Sequence, residues 1–80
     1  MPNRRDGIHL DPARLDYQLS VRGITARTLA ERAGIPEVTI SRARHGRRVR
    51  ESTLERLTRG LLEIPLLVGA DMLVADPREP

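Results

Sequence analysis

Glycines at positions 23, 34 and 46 cut the middle of the chain into short intervals, and each interval carries its own helix-start signal. Glycine takes the left-handed conformation that closes a helix, while Asp, Thr and Pro favour the opening positions. Helices between residues 11 and 46 are therefore limited to about three turns. Asp11 is a good N-cap with Pro12 at the first helical position, and Leu10 can staple onto Leu15. The first helix carries Leu15 and Leu19 as an i, i+4 pair until Gly23 lets Ile24 fold back on Leu19. Thr25 caps a second helix with Leu29, Ala30 and Ala33 inward, ending at Gly34. Pro36 opens a third whose inward residues are Pro36, Ile40 and Ala43, ended by Gly46. Ser52 or Thr53 caps a fourth with the stripe Leu54, Leu57 and Leu61, and Gly60 inside it marks a close helix contact. Beyond Leu62, residues 64–69 read as extended chain broken by Pro65 and Gly69, and Ala70 to Ala75 as one short helix.

These elements must pack without help from aromatic rings or disulfides. Among the 80 residues Tyr17 is the one aromatic and there is no Cys, so the core is aliphatic and no thiolate zinc site or cysteine nucleophile exists. A chain this short buries only about 60 to 65% of its unfolded surface, which leaves room for one domain over residues 1–80 and none for a two-domain enzyme. The expected layout is a flexible basic arm at 1–7, a helical core at 11–62, a packing or dimerisation segment at 63–76 and a polar tail at 77–80. The fold class is all-α, a compact bundle of four to five short helices. His9 and His45 are too few and too far apart in sequence for a metal site, and no Ser has a His and carboxylate around it, so neither a metal, a cofactor nor catalysis is expected. His9 reads as a flexible polar residue, and His45 as a favourable cation near a helix C-terminus. Two Arg without an apolar run make no signal peptide, and Leu61 to Val74 falls short of the roughly 20 residues of a membrane span, so a cytoplasmic location is expected.

The charge pattern narrows the partner. All fourteen cations are Arg, for a net charge of +3, yet residues 22–50 carry eight Arg against Glu31 and Glu37. The first 21 residues are neutral and the last 30 carry a net −3. Residues 42–50 hold five Arg and no acid, a density of self-repulsion that calls for an anionic partner. Guanidinium groups bind phosphate oxygens in pairs, so nucleic acid is the first candidate.

The most specific stretch is TARTLAERAGIPEVTISRARHG, residues 25–46. Two helices joined by so short a turn must cross steeply, which needs a small residue at the contact, a positive φ in the turn and a β-branched residue filling the angle. Ala30, Gly34 and Ile40 meet these needs in order. With LAxxAGI followed by TISR, the segment resembles the helix-turn-helix domain of phage repressors and Cro proteins, the xenobiotic-response-element type, over roughly residues 11–62. The resemblance implies that the third helix enters the DNA major groove, with Glu37, Val38, Ser41 and Arg42 as base readers. With Ile40 at the inner centre of the helical wheel, Val38, Ser41, Arg42 and His45 point outward. Phosphate contacts are expected from Thr25, Arg27, Thr39, Arg44, Arg47, Arg48 and Arg50. Ala26 stands where the family usually has Gln and adds no side-chain bond. Many members pair an Arg in the first helix with a Glu near the end of the third; here Leu19 and Arg44 occupy those places, so neither charge is stranded. Pro36 replaces the Ser that often caps the third helix, which points to a slightly later start.

The resulting expectation is a sequence-specific transcriptional regulator binding a double-stranded DNA operator, with no cofactor. The abundance of Arg and the small size hint at a high-GC genome and a phage or prophage setting. Two alternatives share the fold: the antitoxin of a toxin-antitoxin pair, and a protein-interaction module without specific DNA binding. Asn3, Arg4 and Arg5 form a candidate minor-groove arm. Leu66, Leu67, Val68, Met72 and Leu73 are candidate dimerisation residues, pairing helix against helix or strand beside strand, unless they wrap back to finish a single core.

Overall fold

A computed structural model describes residues 7–79. Asp11 is extended and accepts the Ala13 N–H at 2.9 Å, so with Pro12 at the first position it starts α1, Pro12–Arg22. Thr25 does the same for α2, Ala26–Ala33, its hydroxyl accepting the Thr28 N–H at 3.2 Å. α3 spans Glu37–Arg44 and α4 Glu51–Glu63, and a single 3-10 turn, Ala70–Met72, follows. The first three helices end alike. The N–H of Ile24 bonds the Leu19 carbonyl at 3.1 Å, that of Ile35 the Ala30 carbonyl at 3.1 Å, and that of Arg47 the Arg42 carbonyl at 2.9 Å. The glycines inside the first two of these closures, Gly23 and Gly34, have φ of 64° and 70°, which a residue with a Cβ adopts only under strain.

The core cluster is Leu15, Leu19, Leu29, Ala30, Ile40, Ala43, Val49 and Leu57, with Leu29 and Ile40 the two large side chains sealed completely. Leu10, Leu54 and Leu61 pack against its edge, as the staple and the stripe predict. α2 lies between α3 and α4. A Cβ on Gly60 would sit 3.2 Å from the Cβ of Ala33, so the close contact expected at Gly60 is the α2–α4 crossing.

Four details correct the sequence reading. Pro36 is exposed and extended (φ −63°, ψ 141°): it stands at the N-cap without a side-chain bond, outside the wheel, so α3 starts at Glu37 and its inward residues are Ile40 and Ala43. α4 starts before Ser52, with Arg50 at the N-cap, because an antiparallel bridge between Ile8 and Val49 holds the preceding chain extended right up to the helix. Its bonds are 2.7 Å from Ile8 N–H and 2.9 Å from Val49 N–H. This bridge also fixes the backbone beside His9, which is therefore not a flexible residue. The helix expected at Ala70 to Ala75 reduces to the 3-10 turn, since Gly69 (φ 82°) and Pro77 leave too few residues to offset the cost of helix nucleation. Beyond this turn Asp76 accepts the Arg78 N–H at 2.9 Å and its guanidinium at 3.0 Å, bonds that hold the Asp76 carboxyl below its usual range.

The segment after α4 is tied to α1 by polar bonds. Arg22 donates from Nε to the carbonyls of Leu61 and Ile64, both at 3.0 Å, and the Leu67 N–H bonds the Val21 carbonyl at 2.8 Å.

Two substitutions test this packing by urea denaturation. Leu29→Ala should lower stability by about 2 to 5 kcal/mol through loss of contact and the cavity left behind. Gly60→Leu should cost about 1 to 3 kcal/mol by forcing α2 and α4 apart, despite leucine's higher helix propensity.

Candidate nucleic-acid interface

Burying Ile40 and Ala43 without residual exposure fixes the rotation of α3. Glu37, Val38, Ser41 and Arg42, the expected base readers, consequently all face solvent, Val38 at 52% exposure although it is apolar. Arg42 then shares a shallow concave surface with Ser41, His45, Gly46, Arg47 and Arg48, and with His9 from the N-terminal strand segment. Sequence reasoning missed His9 here. No local sequence signal could have found it, because His9 is brought there by the Ile8–Val49 bridge, a long-range contact.

The expected phosphate contacts divide by what already holds them. Arg42, Arg47, Arg48 and Arg50 are exposed and make no ion pair with any described residue. Their charges are left for an external anion. Arg27 lies 3.5 Å from Glu31 one turn on, with both side chains largely in water, a pair of little strength. Thr25 is exposed but its hydroxyl caps Thr28, so an anion at the start of α2 would meet backbone N–H groups instead. Thr39 is half-buried on the flank of α3. Arg22, counted in the basic middle third, is consumed by backbone carbonyls. Asn3, Arg4 and Arg5 lie outside the described residues, but the chain enters the fold at Gly7 beside Arg48, where a Cβ would meet the Arg48 Cβ at 3.0 Å.

Arg44 is the other exception. Its Nε lies 2.7 Å from Asp16 Oδ1, joining α3 to α1. The place beside it in α1, Leu19, is buried in the core. The link that many related domains make with Arg on the first helix and Glu on the third is thus made with the charges exchanged and the carboxylate one turn earlier. Asp16 and Leu19 share a helix face at i, i+3 spacing, which is the signal that could have found it.

The described residues contain no cluster of three or more His, Cys, Asp or Glu able to hold a metal. Apolar surface is concentrated elsewhere: Val68, Met72 and Leu73 are 105%, 83% and 91% exposed, and Leu62, Leu66 and Leu67 are also exposed. The expected dimerisation residues therefore do not close the core of one chain, although Leu67 covers Gly23 with its Cδ1. No helix among the described residues is long and apolar enough to cross a membrane.

A double-mutant cycle on Asp16→Ala and Arg44→Ala should give a coupling of about 0.2 to 1 kcal/mol, the range for half-exposed pairs. The coupling should shrink in concentrated salt, where screening acts within a few ångströms.

Residues 14–61 match the family model of the Cro/C1-type helix-turn-helix DNA-binding domain. That stretch begins in α1, takes in α2, α3 and the Arg-rich loop, and ends in α4. Comparison with curated proteins and with solved structures returned no match. The helical order, the glycine-closed turn between α2 and α3 and the match over more than half of the chain agree: this all-α chain belongs to the Cro/C1-type helix-turn-helix family, a DNA-binding regulatory domain of a kind that is ordinarily non-enzymatic.

Proposed function

We propose that this chain is a sequence-specific transcriptional regulator of the small repressor or Cro kind, phage or bacterial, which occupies an operator through α3 in the major groove. The observation that carries the reading is the group of guanidiniums without an ion-pair partner among the described residues, Arg42, Arg47, Arg48 and Arg50, on and just beyond the outward face of α3. A helix face built to bind protein would expose apolar anchors there, and Val38 is the one large apolar residue exposed on it. In this reading Arg42 reads a guanine with Glu37, Val38 and Ser41 alongside, Arg47, Arg48 and Arg50 hold phosphates, and Asn3, Arg4 and Arg5 reach the minor groove. Thr25, Arg27, Thr39 and Arg44 are the further phosphate contacts of this reading.

A module this size reads only a few base pairs, so useful specificity takes two copies on half-sites about one helical turn apart. The exposed Leu66, Leu67, Val68, Met72 and Leu73 supply an apolar surface for the second copy. The same surface would serve a toxin if the chain were an antitoxin, and the oligomeric state of the isolated protein separates the two.

Selection of bound sequences from a random DNA pool tests the reading directly: one recurrent motif supports it, and none favours a protein-interaction role. Arg42→Ala should relax the preference at one position, worth about 1 to 3 kcal/mol of discrimination. Arg48→Ala should weaken all sequences alike and flatten the dependence of log affinity on log salt by about one unit.

For the dimer, sedimentation equilibrium at tens of micromolar should show self-association that Leu73→Glu abolishes, with helix content unchanged. A monomer with and without DNA, protecting one half-site, would remove this part of the proposal.

A further inference from the structure

The two histidines have no part in the contacts assigned so far. They lie 36 positions apart in sequence, yet both line the concave surface that holds Arg42, Arg47 and Arg48. Each is placed there by a different physical cause. Residues of extended chain alternate sides, so the bridge that turns Ile8 onto the core at Val49 turns His9 outward. His45 is the C-cap of α3, and its Nδ1 lies 2.7 Å from the Ser41 carbonyl oxygen. A carbonyl only accepts, so Nδ1 carries the hydrogen and Nε2 is the nitrogen left for a ligand.

That assignment has a chemical consequence. With Nδ1–H committed, neutral His45 offers a phosphate nothing but the lone pair of Nε2, and a phosphate diester has no proton to give. Only the imidazolium can donate to it. A phosphate contact through Nε2 therefore takes up a proton. Among the described residues, the groups around the two rings do not pre-empt it. Arg42, Arg47 and Arg48 are cationic, and Ser41 is neutral. Asp11 and Arg14 flank His9 on its other side, and there Asp11 is engaged by the Ala13 and Arg14 N–H groups and by the Arg14 guanidinium at 3.8 Å.

We propose that His9 and His45 are DNA phosphate-contacting residues and that His45 binds in its protonated form, so that this domain grips DNA more tightly as pH falls. The inference rests on the DNA-binding reading above and extends its interface to a residue of the N-terminal segment. The sign follows from linkage. A phosphate beside an imidazole favours the charged ring, the complex holds more protons than the free protein, and affinity therefore rises on acidification and is lost as pH rises.

The test is fluorescence anisotropy with a mixed-sequence DNA duplex at fixed ionic strength, from about pH 5.5 to about pH 8. The probe reports phosphate contacts without requiring the operator. Wild type should bind about three- to tenfold more tightly at the acid end, with the salt slope there steeper by roughly one unit. His45→Gln should bring the pH ratio close to one, and His9→Gln should weaken binding at every pH. His45→Lys, which keeps a cation at that place, should hold its share of the affinity at the alkaline end. Circular dichroism melts at both pH limits check that each variant stays folded, since both side chains are exposed. A His45→Gln variant with the wild-type pH ratio, a His9→Gln variant with wild-type affinity, or a wild type that binds the duplex equally at all pH values overturns this proposal while leaving the DNA-binding reading intact. Failure of wild type to bind the duplex at any pH overturns both.

Discussion

The mutual burial of Leu29 and Ile40 sets the angle on which every surface feature depends. One comes from each helix of the helix-turn-helix, and neither retains any exposure. With no Phe or Trp available, two branched aliphatic side chains must fill the space between crossed helices, and the crossing can be steep because Ala30 is small and buried in the core and Gly34 turns the chain with a φ of 70°. Close packing leaves little freedom: a small rotation of α3 would open a void beside Ile40 and lose dispersion contacts on that side. The rotation of α3 in turn decides that Val38, Ser41 and Arg42 meet the solvent. The recognition surface is thus specified from within, by residues that never touch a ligand.

The arginines are shared between holding the fold and leaving charge available. Arg22 is spent on the carbonyls at the end of α4, where the helix cannot satisfy its own acceptors, and on the backbone of Gln18. Arg44 bridges to Asp16 across α1 and α3. Arg42, Arg47, Arg48 and Arg50 remain unpaired among the described residues, and the first three line one concave surface, so the positive potential is localised at α3 and its loop. A net charge of +3 for the whole chain would not suggest such a field, because the acids sit mostly before residue 21 and after residue 51. Keeping them apart is what makes a nearly balanced composition behave as a strongly polar surface.

The helix boundaries were legible where the local signal was also the physical cause. Asp11, Pro12, Gly23, Thr25 and Gly34 act through bonds to residues at most five positions away, and all five do in the structure what their chemistry predicts. The start of α4 was misread because Ser52 and Thr53 are good caps only if the chain before them is free to turn, and the Ile8–Val49 bridge removes that freedom. The charge-exchanged link was half legible: Leu19 and Arg44 were recognised as departures, but Asp16 as the partner required knowing how close α1 comes to the end of α3.

The sequence by itself determined the ends of the first two helices, the aliphatic core, the family and the outward face of α3, because periodicity, capping and turn chemistry operate over a few residues. Only the tertiary structure decided which arginines are spent and which are free, that His9 joins the surface of α3, and that the apolar residues after α4 stay largely uncovered. Those outcomes depend on contacts between residues tens of positions apart, and a side chain's partners at that range are chosen by how whole helices pack, not by its neighbours along the chain.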